Sequence, residues 1–171
     1  MKTMVEKGEE VSTRKLSQPE RHDRYVRQVE KLSGVSIKGV TEPSDGLVDL
    51  CWSIFDDNRL RWVDWSKCTS KEQEMTGEKK DHTFTVFNGT IKIDAKPQDV
   101  QADTTTDVMM QYALQRRALA LDQANLLDYS KFMRWTDKLM KLRIDKAPSG
   151  FERPSIKQLM DADVKLFRRD G

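Results

Sequence analysis

Apolar residues recur at helical spacing along most of the chain, and this pattern predicts a mainly α-helical protein. Serine, threonine and aspartate precede several of the apolar stripes, as expected of helix N-caps. The predicted helices lie at about 19–33, from about 44 onward, after 70, at about 105–124, after Asp128 and after Ser155. The pattern leaves open whether the second helix breaks at 56–58 or continues through Trp62 and Trp65.

One segment departs from helical spacing and predicts a β-hairpin at residues 83–94. Two alternating runs, 83–87 and 90–94, flank Asn88-Gly89. This pair favours a type I′ turn, because both of its residues readily adopt a positive φ. A two-residue loop places Phe84 opposite Ile93 and gives the hairpin one apolar face. Two strands alone are marginal in water, so we expect that face to pack on helices.

Length and composition predict one domain. The chain has 171 residues, of which 37% are hydrophobic and 34% charged. We expect a mainly α fold, with about five or six helices packed on the hairpin, a disordered tail at 1–16 and a single domain at 17–171. No run approaches the roughly 18 apolar residues of a membrane helix. The polar start predicts no secretory signal, so we expect an intracellular protein, cytoplasmic or nuclear.

Charge is distributed unevenly although the formal net charge is only +2. Residues 1–38 carry nine basic and six acidic side chains, and residues 131–171 carry eleven and six, whereas the middle of the chain is acidic. Basic ends suit a nucleic-acid partner, since Lys and Arg release counterions from phosphate. The candidate contacts are Lys165, Arg168 and Arg169. Solvated helix faces with local ion pairs explain the same pattern.

Signatures of catalysis and cofactor binding are missing. No glycine-rich phosphate loop is present, and the two histidines occupy charged segments. Cys51 falls on an apolar stripe and is expected in the core, whereas Cys68 borders a polar loop and suggests an exposed thiol. Asp161 and Asp163 have spacing that could hold a hard cation, but such carboxylates more often cap helices or face solvent. We therefore expect no enzyme activity, no cofactor, no metal and no small-molecule substrate.

Tryptophan and arginine alternate in one segment, RLRWVDWSK, which is the best candidate for a partner-binding surface. Its residues Arg59, Arg61, Trp62 and Trp65 are of the types enriched in interface hot spots. Ordinary packing offers the alternative, because a guanidinium also stacks over an indole ring within a fold. Four tryptophans are many for this composition, so we expect at least one to be partly exposed.

The order of these features resembles the amino-terminal, Gag-like region of Copia-type retroelement polyproteins. The resemblance covers about residues 20–167 and rests on helix order and on the phrases CTSKEQE and LQRRALALDQANLL. It implies self-association and RNA packaging, and it carries over no functional residue. Together with the residues themselves, it favours a non-enzymatic helical assembly or scaffold module that binds protein chains, its own copies or others. The alternative is an RNA-binding, nucleic-acid-associating protein that uses its basic termini.

Overall fold

The computed structural model describes the backbone of residues 15–80, 82–87, 90–95 and 100–168. It describes the side chains of residues 15–76 and 100–168. Residues 1–14, which make up most of the predicted tail, lie outside the described part, as do the Asn88-Gly89 turn and Arg169.

The described chain is mainly helical, as the apolar stripes predict. Among the described residues, no helix is both long enough and apolar enough to cross a bilayer. The described residues form six α-helices: α1 (Gln18–Lys31), α2 (Asp45–Asp57), α3 (Lys71–Lys80), α4 (Asp107–Gln123), α5 (Tyr129–Ile144) and α6 (Ile156–Arg168). Short 3₁₀ helices lie at Gly39–Thr41 and Trp65–Lys67.

Two strands, β1 (His82–Phe87) and β2 (Thr90–Ala95), lie between α3 and α4. They pair antiparallel, with Phe84 opposite Ile93 and Phe87 opposite Thr90. The packing of an apolar hairpin face on helices concerns side chains outside the described part, and it stays a prediction.

Local capping explains why the helices begin where they do. The Ser17 hydroxyl accepts a hydrogen bond from the Glu20 amide, and the Glu20 carboxylate accepts one from the Ser17 amide. Ser44 caps α2 in the same sense by accepting from the Leu47 amide. Each hydroxyl satisfies an N–H that the first helical turn cannot pair.

Helix α2 ends at Asp57, which settles the question left open by the sequence. Asn58 has φ 51°, and its N–H bonds back to the Ile54 and Phe55 carbonyls. Asparagine tolerates this left-handed conformation, and the reversal stops the helix. Trp62 therefore lies in a non-helical segment, residues 58–64, and Trp65 opens the following 3₁₀ helix.

Helix α4 runs through the centre of the fold. Its Ala113, Leu114, Ala118 and Leu121 are fully buried, and α4 packs against α2 and α5. Its small alanine side chains allow the neighbouring helices to approach closely.

Leu16 corrects the predicted boundary of the tail. This residue was expected to be disordered, yet its side chain is buried in the core. Its backbone N–H donates to the Asp49 carboxylate at 3.2 Å. The ordered domain therefore begins before residue 17, because burial of one leucine and one hydrogen bond hold the chain against α2.

Candidate functional site

The most unusual feature of the interior is a buried carboxylate that accepts five N–H donors. Asp163 Oδ2 accepts from the indole nitrogens of Trp62 at 2.7 Å and Trp65 at 2.8 Å. Asp163 Oδ1 accepts from the Trp135 indole at 2.8 Å. Arg117 adds a two-pronged ion pair, with Nη1–Oδ2 at 2.5 Å and Nη2–Oδ1 at 2.7 Å. We call these five residues the Asp163 cluster.

The Asp163 cluster joins four parts of the chain. Arg117 comes from α4, Trp135 from α5 and Asp163 from α6, while the two remaining indoles follow α2. The Arg117 and Asp163 side chains have no solvent exposure. Because the donors lie far apart in sequence, these bonds fix the positions of three helices and the 58–64 segment relative to one another.

Electrostatics favours the ionised form of the buried Asp163 carboxyl. Burial by itself would raise the pKa of the Asp163 carboxyl, but the Arg117 ion pair and the indole hydrogen bonds outweigh it and lower the pKa below its ordinary value. The Arg117 guanidinium also lies against the rings of Phe132, at 4.9 Å, and Phe167, at 5.1 Å. Charge, hydrogen bonds and ring contacts thus compensate the cost of removing both ions from water.

The geometry gives Asp163 a structural role. Both carboxylate oxygens are occupied, and the side chain is closed to solvent, so it can neither exchange a proton with a substrate nor coordinate a cation. The expectation that Asp163 caps a helix or faces solvent is therefore wrong, and its geometry does not support the alternative of a cation site shared with Asp161. Within the part of the chain that the structure describes, no three His, Cys, Asp or Glu side chains are grouped to hold a metal ion.

An apolar pocket opens directly over the Asp163 cluster. We call it the apolar pocket; its lining is Leu60, Leu127, Lys131, Phe132, Trp135, Leu166 and Phe167. Two of its walls, Phe132 and Phe167, touch Arg117, and a third, Trp135, is tied to Asp163. The cluster therefore fixes the shape of the pocket from beneath.

The four residues predicted to bind a partner have different environments. Trp65 is 0% exposed, so the expectation that it is a surface anchor is wrong, and its indole serves the Asp163 cluster instead. Trp62 is half-buried on the same cluster. Arg59 is exposed, and Arg61 is partly exposed and pairs with Asp57 at 3.1 Å. Both arginines adjoin Leu60, a lining residue of the apolar pocket.

Basic residues near the amino terminus serve the fold. Arg21 on α1 bonds Asp49 on α2 at 2.7 Å. Lys31 bonds Asp122 on α4 at 2.6 Å, and the Arg24 guanidinium lies 4.1 Å from the centre of the Trp52 ring. Part of the positive charge that suggested a nucleic-acid surface is therefore used to attach α1 to its neighbours.

The basic carboxyl terminus is more accessible. Lys165 and Arg168 are both exposed on α6, whereas Arg169, the third candidate contact for nucleic acid, is outside the described residues. These two side chains are available to an acidic partner in a way that Arg21 and Arg24 are not.

Both cysteines are fully buried, so the prediction of an exposed Cys68 thiol is wrong, whereas the core placement of Cys51 is confirmed. Burial raises the pKa of Cys68 to about 12 and also raises the pKa of Cys51. A reactive cysteine needs a lowered pKa and access to solvent. These thiols have the opposite properties and pack as small apolar groups.

Sequence reasoning missed the pairing of Arg117 with Asp163. Arg117 lies in the acidic middle of the chain, but its partner lies in the basic carboxyl-terminal segment. A signal was present, since Asp163 falls between Leu159 and Phe167 on an apolar helical face. Opposite charges within two apolar faces indicate a buried ion pair, because one such charge alone would be too costly.

Comparison of the chain with protein-family models, with curated proteins and with solved structures gives no match. The function is therefore inferred from the residues and their geometry.

Proposed function

We propose that the chain is a non-enzymatic helical assembly module that binds protein chains, another copy of itself included. The apolar pocket would receive an apolar side chain of the partner. The observation that supports this proposal is an open apolar concavity whose walls are fixed in advance by the Asp163 cluster.

Rigid walls favour binding, because a preformed site loses little conformational freedom when a partner docks. Trp135 is half-buried at the pocket and still offers ring surface to a partner. Tryptophan and arginine are the residue types most often found at interface hot spots. In this arrangement Arg59 and Arg61 would flank the contact, while Trp62 and Trp65 support it from within.

A catalytic role has weaker support. The buried carboxylate of Asp163 is saturated with donors, and the thiols of Cys51 and Cys68 are inaccessible. Lys131 is the one titratable side chain among the residues that line the apolar pocket. Catalysis by proton transfer or nucleophilic attack usually needs an activated group held by a second polar partner.

Light scattering over a concentration series tests the proposal. We expect the mass of the wild type to rise above 19.9 kDa with concentration. Leu60→Asp should weaken association by about 2 kcal/mol, about 30-fold in Kd, because it places a charge in the apolar pocket. Met75→Asp is the matched control, since Met75 is 52% exposed on α3, outside the lining of the pocket. A mass that stays monomeric, or equal effects of both variants, would contradict the proposal.

Nucleic-acid association is a second candidate, supported by the exposure of Lys165 and Arg168 on α6. Replacing both with Gln should weaken RNA binding and flatten its dependence on salt, because each phosphate contact releases counterions. Lys67→Gln, which changes an exposed lysine in the Trp65–Lys67 3₁₀ helix, is the control variant for RNA binding. If the wild type binds no RNA at low salt, this candidate is removed.

A further inference from the structure

A second concave surface lies at the carboxyl end of α5, apart from the apolar pocket. Its walls include the apolar side chains of Leu142, Ala147, Pro148 and Pro154. Three lysines also line it: Lys138, Lys141 and Lys146. We call this surface the lysine groove.

Arg143 holds the groove in shape. Its Nη1 donates to the Pro154 carbonyl at 3.1 Å, and its Nε donates to Asp107 at the start of α4, at 3.2 Å. A tight turn follows, in which the Phe151 amide bonds the Pro148 carbonyl and Gly150 has φ 86°. The segment after α5 is therefore tied back against the helix, and the groove exists before any partner arrives.

Exposed large apolar side chains occur in the segment that forms the lysine groove. Leu142 is 55% exposed, Ile144 is 53% exposed and Phe151 is 74% exposed. Of these three, Leu142 lines the groove itself, and together with Ala147, Pro148 and Pro154 it gives the groove an apolar surface of the kind that marks interaction sites. Residues 138–157 also carry six basic and two acidic side chains, a net charge of +4.

We propose that the lysine groove binds an acidic amphipathic segment of another protein. Leucine-like side chains of that segment would cover Leu142 and the prolines, and its carboxylates would face Lys138 and Lys141. Such a segment matches both properties of the groove, apolar walls and positive charge. The site is separate from the one in the proposed function, so either can be correct without the other.

The shape and the negative charges of the groove favour a peptide over other anionic partners. The lining is concave, which suits an inserted segment better than the flat surface of a bilayer. Asp145 and Glu152 also line it and would repel a continuous row of phosphates. A peptide can instead place its few carboxylates opposite the lysines.

Fluorescence anisotropy with defined synthetic peptides tests this assignment. The probe is a fluorescein-labelled helical peptide of glutamate and leucine, and two matched peptides replace its glutamates with lysine or its leucines with alanine. We expect the glutamate–leucine peptide to bind at least tenfold more tightly than either matched peptide. Lys138→Glu with Lys141→Glu should weaken its binding at least tenfold, whereas Lys165→Glu with Arg168→Glu, an equal change of charge on α6, should change it less than twofold.

Several outcomes would overturn the assignment. Equal loss in both double variants would show attraction by overall charge alone, and equal binding of all three peptides would show no selectivity. Absence of peptide binding would also overturn it. The assignment would likewise be overturned if vesicles of anionic phospholipid, or RNA, bound the wild type but not the Lys138→Glu/Lys141→Glu variant, while the peptide did not bind. Leu142→Ser, at an exposed position that should leave the fold intact, must also weaken peptide binding.

Discussion

Replacing Asp163 with asparagine tests the physical basis of the fold most directly. The substitution keeps the shape of the side chain but removes its charge and one of its two acceptor oxygens. In either orientation, the new amide NH₂ would face at least two N–H donors of Arg117 and the indoles. Those donors would lose their acceptor, and the buried guanidinium of Arg117 would lose its counter-ion.

The structure sets the size of the expected effect. Removal of one partner from a buried ion pair costs about 3–5 kcal/mol, because the remaining charge stays buried without compensation. We therefore expect Asp163→Asn to lower the free energy of unfolding by about 4 kcal/mol. For a domain of this length, that loss corresponds to a fall in Tm of about 8–16 °C.

Urea denaturation followed by circular dichroism measures this loss, with Asp161→Asn as the control. Asp161 is exposed on the same helix, so its substitution should change stability by less than about 0.5 kcal/mol. The double change Arg117→Met with Asp163→Asn should be less damaging than Asp163→Asn alone, since it also removes the guanidinium that would be left buried without a counter-ion. A loss below about 1 kcal/mol for Asp163→Asn would refute the reasoning that the cluster stabilises the fold.

Four further predictions follow from particular residues. Because the pKa of Asp163 is lowered in the folded state, the ionised carboxylate stabilises the fold above the unfolded pKa of about 3.9. This stabilisation is lost as pH falls through the lower folded pKa. The free energy of unfolding should therefore fall less steeply at acid pH in Asp163→Asn than in the wild type, and identical curves would contradict this prediction. Cys51 and Cys68 should react with a thiol reagent only when urea unfolds the chain, whereas rapid reaction in native buffer would contradict their burial. Ser17→Ala should cost about 1 kcal/mol in urea denaturation through loss of the capping box, and an unchanged midpoint would argue against that cap. Asn88→Val should cost about 1 kcal/mol in thermal unfolding, since a β-branched residue resists positive φ, and unchanged stability would rule out the type I′ turn.

Local features of the chain were readable from the sequence because they depend on neighbouring residues. The cap at Ser17, the start of α2 after Ser44 and the central helix at 107–123 all depend on contacts within about four positions. The core placement of Cys51 followed from the same periodicity. Such patterns reflect hydrogen bonds and burial along one helix, and both depend on residues that are close together in the sequence.

The roles of the charged and aromatic side chains were decided only by the tertiary structure. Sequence reasoning placed Trp65 at an interface, Cys68 in solvent and Asp163 among carboxylates that cap helices or face solvent, and all three proved to be interior. Each assignment depended on which distant segments pack together, and Arg117 lies 46 positions from its carboxylate. A carboxylate can be buried only where an opposite charge and enough hydrogen-bond donors lie within reach in the folded structure. Spacing along the chain does not show which distant residues come that close.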